Sequence, residues 1–342
     1  PKNAKNEVDL DKIWGIQFAN GIGRDLNGQS KIMQGAEYYT AWKEIQTHIK
    51  YLGLRDYKLD AYNNSGYFMG MHNVEELELP KEGMNVGNGA EDGQLYFANA
   101  YNLKTITIWS GEKKVDITDD AVKDKTLLNR VGKFMFSNCC SLSTKYINRL
   151  IKNVTEIKDN AFYANDEHRG YFSDKVAGHN MAIEIPSSVT KIGSQAFYNR
   201  VKVTGLIIHG NGGSLEIGSQ AFRRCEQLNA LNLDNAKITY LGTGVFGDCR
   251  SMTNDFVNGV LKNYAANGGT KIPAYLFFGC NGQDGHDGLD PDKNKNVCSF
   301  TDLNIPAQFT EIGDGAFAST GDAKIKLKTI TVNSEKAPTC LQ

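Results

Sequence analysis

No apolar stretch approaches the ~20 residues a membrane-spanning helix needs, so the sequence encodes no transmembrane helix. It also lacks an excess of either charge. Lysines and arginines number 38 against 39 acidic residues, for a formal charge of -1, and no long block of one sign occurs. A nucleic acid or an anionic membrane surface selects for a basic excess, so neither is expected as a partner. Among the seven cysteines there is no CxxC pair, which argues against zinc ribbons and thioredoxin-type sites. The six histidines, at 48, 72, 168, 179, 209 and 286, form no HExxH pair, and no GxSxG elbow is present. The usual presentations of a catalytic metal or an activated serine are therefore missing. Gly87-Asn88-Gly89 and Gly210-Asn211-Gly212-Gly213 lack the lysine of a phosphate loop and read as turns. No cofactor and no catalytic residue is expected, and an enzyme is the least supported class. The chain opens at Pro1 without a charged segment leading into an apolar one; the expectation is that a signal or lipid anchor has been removed.

What is present is a repeat. Ile192-Gly193-Ser194-Gln195-Ala196-Phe197 returns as Ile217-Gly218-Ser219-Gln220-Ala221-Phe222 and as Ile312-Gly313-Asp314-Gly315-Ala316-Phe317. Looser copies end at Phe136, Phe162, Phe246 and Phe277, and Phe68 and Phe97 complete the series. Three residues after the phenylalanine comes a cysteine or another small or apolar residue, as in Phe222 and Cys225 or Phe97 and Ala100. A short alternating run then follows: Leu77 and Leu79, Ile106 and Ile108, Leu231 and Leu233, Leu303 and Ile305, Ile330 and Val332. Period-two alternation over so few residues predicts a strand, and Pro80, Pro186 and Pro306 end several of these runs by withholding an N–H.

Such a unit is too small to bury its own apolar face and must stack on the next. Successive phenylalanines lie 24, 25 or 26 residues apart in places and 35, 39 or 40 in others. The extra residues fall after the phenylalanine turn or after the strand, as surface loops would. The fold class predicted is a β-rich leucine-rich repeat solenoid with a parallel sheet along one face and about nine irregular repeats. It forms one elongated domain over residues 54–334, between an N-terminal helical cap at 1–53 and a C-terminal tail at 335–342. The cap rests on Tyr38, Trp42, Ile45 and Ile49, whose three- and four-residue steps mark one helical face.

The motif resembles that of the BspA-like leucine-rich repeat family, also described as the Treponema-type repeat: LxxIxIPxxVxxIGxxAFxxCxx. It is visible in Ile183-Glu184-Ile185-Pro186 through Val189, Ile192, Gly193, Ala196 and Phe197, again from Leu303 to Phe317, and more loosely over residues 54–332. The run after Leu142 and Asn180 depart from it. The resemblance implies secreted or cell-surface proteins, often from Bacteroidetes, that adhere to host or bacterial macromolecules.

Cys139, Cys225, Cys249 and Cys280 each sit three residues after the repeat phenylalanine, and are expected to be reduced, buried thiols acting as small hydrophobes. Parallel coils would bring them within disulfide range, ~4.8 Å, but in-register side chains point the same way. Cys298 closes a polar insertion, and a bridge to Cys280 is the alternative there. Within residues 281–297, Asp290, Asp292 and Asn294 have the start of a calcium-loop spacing, but Lys295 and Thr301 stand where glycine and glutamate are needed. The insertion reads as a solvated loop.

Strand positions between the buried pairs point outward. They are Glu78, Thr107, Glu184, Ile207, Asn232, Asn304 and Thr331, and Thr107, Glu184, Asn232, Asn304 and Thr331 are the candidate binding residues. A small-molecule site is usually an enclosed apolar cavity, whereas an open polar face suits a protein or glycan partner on host matrix or a bacterial surface, bound by a monomer. A structural spacer that displays something else is the alternative.

Overall fold

The structure, a computed structural model, describes residues 13–17, 44–56, 60–61, 68–87, 93–165, 181–210, 212–280, 300–319 and 327–341. It divides into two units, Pro1–Asn153 and Val154–Gln342. Both are built from the same coil, in which a main strand is followed by a turn, a second short strand and the phenylalanine turn.

In the first unit the strands are β1 (Gly15–Gln17), β2 (Tyr51–Gly53), β3 (Asp60–Ala61), β4 (Glu76–Glu78), β5 (Asn85–Val86), β6 (Thr105–Ser110) and β7 (Lys113–Asp116), with helix α1 at Thr144–Ile151. The main sheet runs β1-β2-β4-β6-β7, parallel except for the antiparallel hairpin β6-β7. β3 pairs with β5 in parallel. The second unit comprises β8 (Glu156–Ile157), β9 (Ala182–Ile185), β10 (Lys191–Ile192), β11 (Gly205–His209), β12 (Ser214–Ile217), β13 (Ala230–Asp234), β14 (Lys237–Leu241), helix α2 (Asn254–Ala266), β15 (Lys271–Ile272), β16 (Asp302–Ile305), β17 (Glu311–Ile312), β18 (Thr329–Val332) and β19 (Thr339–Cys340). Main strands form β9-β11-β13 and β16-β18, and short strands form β8-β10-β12-β14 and β15-β17-β19, all in parallel.

The coil therefore carries two sheets rather than one. The isoleucine of the IG motif belongs to the second, where Ile157, Ile192 and Ile217 are in register and fully buried. The glycine after it is required by proximity: a Cβ on Gly218 would lie 2.6 Å from the Ser194 backbone nitrogen of the preceding coil. The residue two before the phenylalanine adopts a left-handed backbone, with φ between 55 and 63° at Leu95, Phe134, Asn160, Gln195, Gln220, Gly244, Tyr275 and Gly315. For a non-glycine residue this conformation is unfavourable, and bonds to the next coil hold it. Gln220 N–H donates to Thr243 O at 2.9 Å and Phe222 N–H to Val245 O at 3.0 Å.

The phenylalanines stack. In the first unit Phe68, Phe97 and Phe136 have centroid separations of 6.0 and 5.4 Å. In the second, Phe162, Phe197, Phe222, Phe246, Phe277 and Phe317 follow at 5.4, 5.2, 5.8, 5.7 and 5.9 Å. Each repeat cysteine donates its S–H to the carbonyl of the preceding phenylalanine: Cys139 to Phe97 at 3.2 Å, Cys225 to Phe197 at 3.4 Å, Cys249 to Phe222 at 3.2 Å and Cys280 to Phe246 at 2.9 Å. A cysteine thus fills the volume of a small hydrophobe and partners a backbone carbonyl. Cys225, Cys249 and Cys280 are free and buried, while Cys298 and the 281–297 insertion lie outside the described residues. Burial pushes the Cys225 thiol up to about 12 and raises that of Cys249. Since the thiolate is the nucleophile, iodoacetamide at neutral pH should leave Cys225 and Cys249 unmodified in the native protein and label both after denaturation. Rapid native labelling detected by mass, or a mass showing the two bridged, would contradict this.

Several expectations need correction. The parallel sheet reaches back through β2 to β1, into the segment assigned to the cap. Of the cap helix, residues 44–48 are helical, Ile49 is buried and Ile45 half-buried, and Tyr38 and Trp42 lie outside the described residues. The tail contributes β19, in which Cys340 pairs with Ile312. The run after Leu142 resists alignment because it is not a strand but α1. Likewise α2 replaces a main strand: Thr253 caps it by accepting from Phe256 N at 3.2 Å, Phe256, Val257, Val260 and Leu261 form the buried face, and Gly268, at φ 99°, follows its end. Extra residues thus build ordered helices as well as loops. Ile330 and Val332, expected inside, are 58% and 39% exposed, and among the described residues β18 pairs with β16 alone.

Candidate functional site

Where a helix replaces a strand, the neighbouring strand loses a hydrogen-bonding edge, and asparagines on α2 restore it. Asn258 accepts from Asn304 N at 2.8 Å and donates to Asp302 O at 3.0 Å. Asn254 accepts from Thr301 N and Asp302 N at 2.8 and 3.0 Å. Farther along the helix, Asn263 accepts from Ile238 N at 3.0 Å and donates to Ala236 O at 2.8 Å. A side-chain amide carries the same donor and acceptor as a peptide group, so three residues stand in for a length of strand.

The bonds to Asp302 and Asn304 hold β16, which carries part of the outward face of the second unit. Glu184, Ile207 and Asn232 form one row across β9, β11 and β13, with Glu184 and Asn232 exposed and Ile207 half-buried. Asn304 and Thr331 form a second row across β16 and β18, both exposed. The Asn304 amide oxygen accepts from Asn333 Nδ2. At the margin the Thr301 hydroxyl donates to Asp302 at 2.6 Å and, with Thr329 and Asn254, holds that carboxyl below its usual range. His209 Nδ1 lies 3.5 Å from Asp234.

Thr107 lies in the first unit and is not a free surface residue, being 7% exposed. The hairpin strand β7 pairs with β6 and sets Asp116 opposite it, and the Thr107 hydroxyl donates to Glu76 at 3.2 Å. Glu78, also expected outward, is 2% exposed.

Around these two residues is a cluster that alternation alone does not single out. Tyr51 lies across the sheet because Gly15 and Gly53 leave room for it: a Cβ on Gly15 would come within 2.7 Å of the Tyr51 ring, and one on Gly53 within 2.6 Å of its hydroxyl. That hydroxyl donates to Glu78 Oε2 at 2.7 Å and lies 2.8 Å from the Gln17 side-chain amide. Burial, then the Glu78 carboxylate, raises the Tyr51 pKa, so the phenol stays protonated as a donor. Trp14 stacks on Tyr51 at 5.4 Å and 8° and is 61% exposed. Lys114 Nζ sits 4.9 Å from the Tyr51 centroid and donates to Glu76 at 2.7 Å, and the Arg55 guanidinium lies 3.9 Å over Trp109. Burial works against the Asp116 carboxylate, but donors from Tyr146 and Thr118 outweigh it and hold its pKa low. The sequence signal for this cluster was Gly15-Ile16-Gln17, whose alternation matches Tyr51-Leu52-Gly53 one coil on.

Among the described residues no three histidine, cysteine, aspartate or glutamate side chains are placed to hold a metal ion. No helix among them is long and apolar enough to cross a membrane.

The model of the BspA type leucine rich repeat region matches residues 64–169, 171–283 and 294–337, in six copies. No curated protein matches the chain. Among solved structures, a leucine rich cell surface protein from Faecalibacterium prausnitzii A2-165 is similar at 16% identity, over 81% of this chain and 87% of that one, with a TM-score of 0.26. A leucine-rich repeat protein from Bacteroides ovatus ATCC 8483 is similar at 14% identity, over 83% of this chain and 79% of that one, with a TM-score of 0.21.

Proposed function

Since the chain belongs to the BspA-type leucine-rich repeat family, we propose that it is a non-catalytic binding module of a secreted or cell-surface protein, attaching as a monomer to a protein or glycan on host matrix or a bacterial surface. The observation that carries this reading is the outward face of the second unit, where Glu184, Asn232, Asn304 and Thr331 stand exposed in two register-locked rows. Such a face gains affinity from many weak contacts engaged together, and rigidity lowers the entropy lost on binding.

The test is retention from complex mixtures. The immobilised protein, challenged with extracts of host extracellular matrix and of bacterial surfaces, should hold back a defined protein or glycan that a chain unfolded by heat does not. If neither extract yields a retained component, the spacer reading replaces this one.

A further inference from the structure

The cluster on the first unit has a built form that no part of the repeat requires. An isolated exposed tryptophan is ordinary, but Trp14 is positioned: its indole lies parallel to Tyr51, at 8°, and Tyr51 itself lies on a sheet surface cleared by Gly15 and Gly53. Tyr51 is in turn held by Glu78. Glu78 is 2% exposed, yet its Oε1 has no hydrogen-bond partner, which is costly for a buried carboxylate unless a donor arrives. Beside it the Gln17 amide, the Glu76 carboxylate and the Lys114 ammonium offer acceptors and a donor within one patch.

We propose that Trp14 and Tyr51 form a carbohydrate-binding subsite for a neutral glycan chain, separate from the sheet face of the second unit. A pyranose ring has an apolar C–H face that packs on an indole and hydroxyls at its edge that both donate and accept. The platform supplies the flat aromatic face, and Gln17, Glu76 and Lys114 supply the edge, with Glu78 holding Tyr51 from below. The same groups disfavour other ligands. An anionic chain would meet the Glu76 carboxylate, a quaternary ammonium would meet Lys114, and an apolar peptide would strip water from both charged groups without replacing their hydrogen bonds.

The test is affinity electrophoresis of the full chain through gels containing one of four soluble polysaccharides, namely β-glucan, xylan, galactomannan and heparin, followed by titration of tryptophan fluorescence with oligosaccharides of any that retards it. At least one neutral polysaccharide should slow the wild-type chain, with little change on raising the salt. Trp14→Ala should weaken binding roughly tenfold or more, as loss of a stacked aromatic contact implies, and Trp14→Phe should recover part of it. The exposed position makes both variants compatible with folding, and an unchanged melting temperature checks this. Glu76→Gln provides a second reading at the platform edge and should weaken binding without altering the stack. Three results would overturn the proposal: no retardation by any neutral polysaccharide, equal binding by folded Trp14→Ala, or binding to heparin alone that salt abolishes.

Discussion

Phe222→Ala should destabilise the protein by about 3–5 kcal/mol, among the largest effects of any single truncation. Phe222 is fully buried and stacked between Phe197 at 5.2 Å and Phe246 at 5.8 Å, so its removal empties a ring-sized volume between two neighbours. Those neighbours cannot close the gap, because the backbone of each is held by the coil that follows it: Phe197 N–H donates to Ala221 O at 2.8 Å and Phe246 N–H to Leu276 O at 3.0 Å. The stacking of aromatic faces adds to the transfer and cavity contributions. Phe317, half-buried at the end of the same ladder, should lose visibly less on the same substitution. Reversible denaturant unfolding monitored by circular dichroism measures both. A loss under about 1 kcal/mol at Phe222, the range usual for surface positions, would remove the phenylalanine ladder as the basis of coil stacking.

The ladder was the legible part. Phenylalanine recurs because one large apolar group per coil must meet its counterpart, and that demand writes the same letter at each turn. The IG pair was legible as a pattern but not as a cause, since it takes the 2.6 Å approach of Ser194 to show why a Cβ is excluded at Gly218. Helix α2 was present as Phe256, Val257, Val260 and Leu261 behind Thr253, a capped 3.6-residue period. A search for alternation passes over it. Its asparagines could not be read at all, because Asn258 is paired to Asp302 and Asn304, 44 and 46 residues away. The outward positions separated by neighbourhood: Asn232 and Asn304 are exposed between less exposed neighbours, all of β18 is exposed, Thr331 included, and Thr107 is buried where β6 pairs with β7. Trp14 and Tyr51 were missed because their strand, β1, precedes the recognisable repeat.

The sheet face is the central functional claim, and its effect should be all or none. Single changes there should do little, because each contact is weak and the others remain. Asn232, Asn304 and Thr331 changed together to lysine add three positive charges to a face whose exposed residues are mostly small and polar. Folding should survive: all three side chains are exposed, and the bond that ties Asn304 to α2 is made by its backbone N–H. The decisive measurement is therefore the binding of the wild-type chain and of the triple variant, at matched melting temperature, to the component retained from matrix or bacterial-surface extract. The sheet-face reading predicts that the folded triple variant no longer attaches. A folded triple variant that binds as tightly as the parent contradicts it.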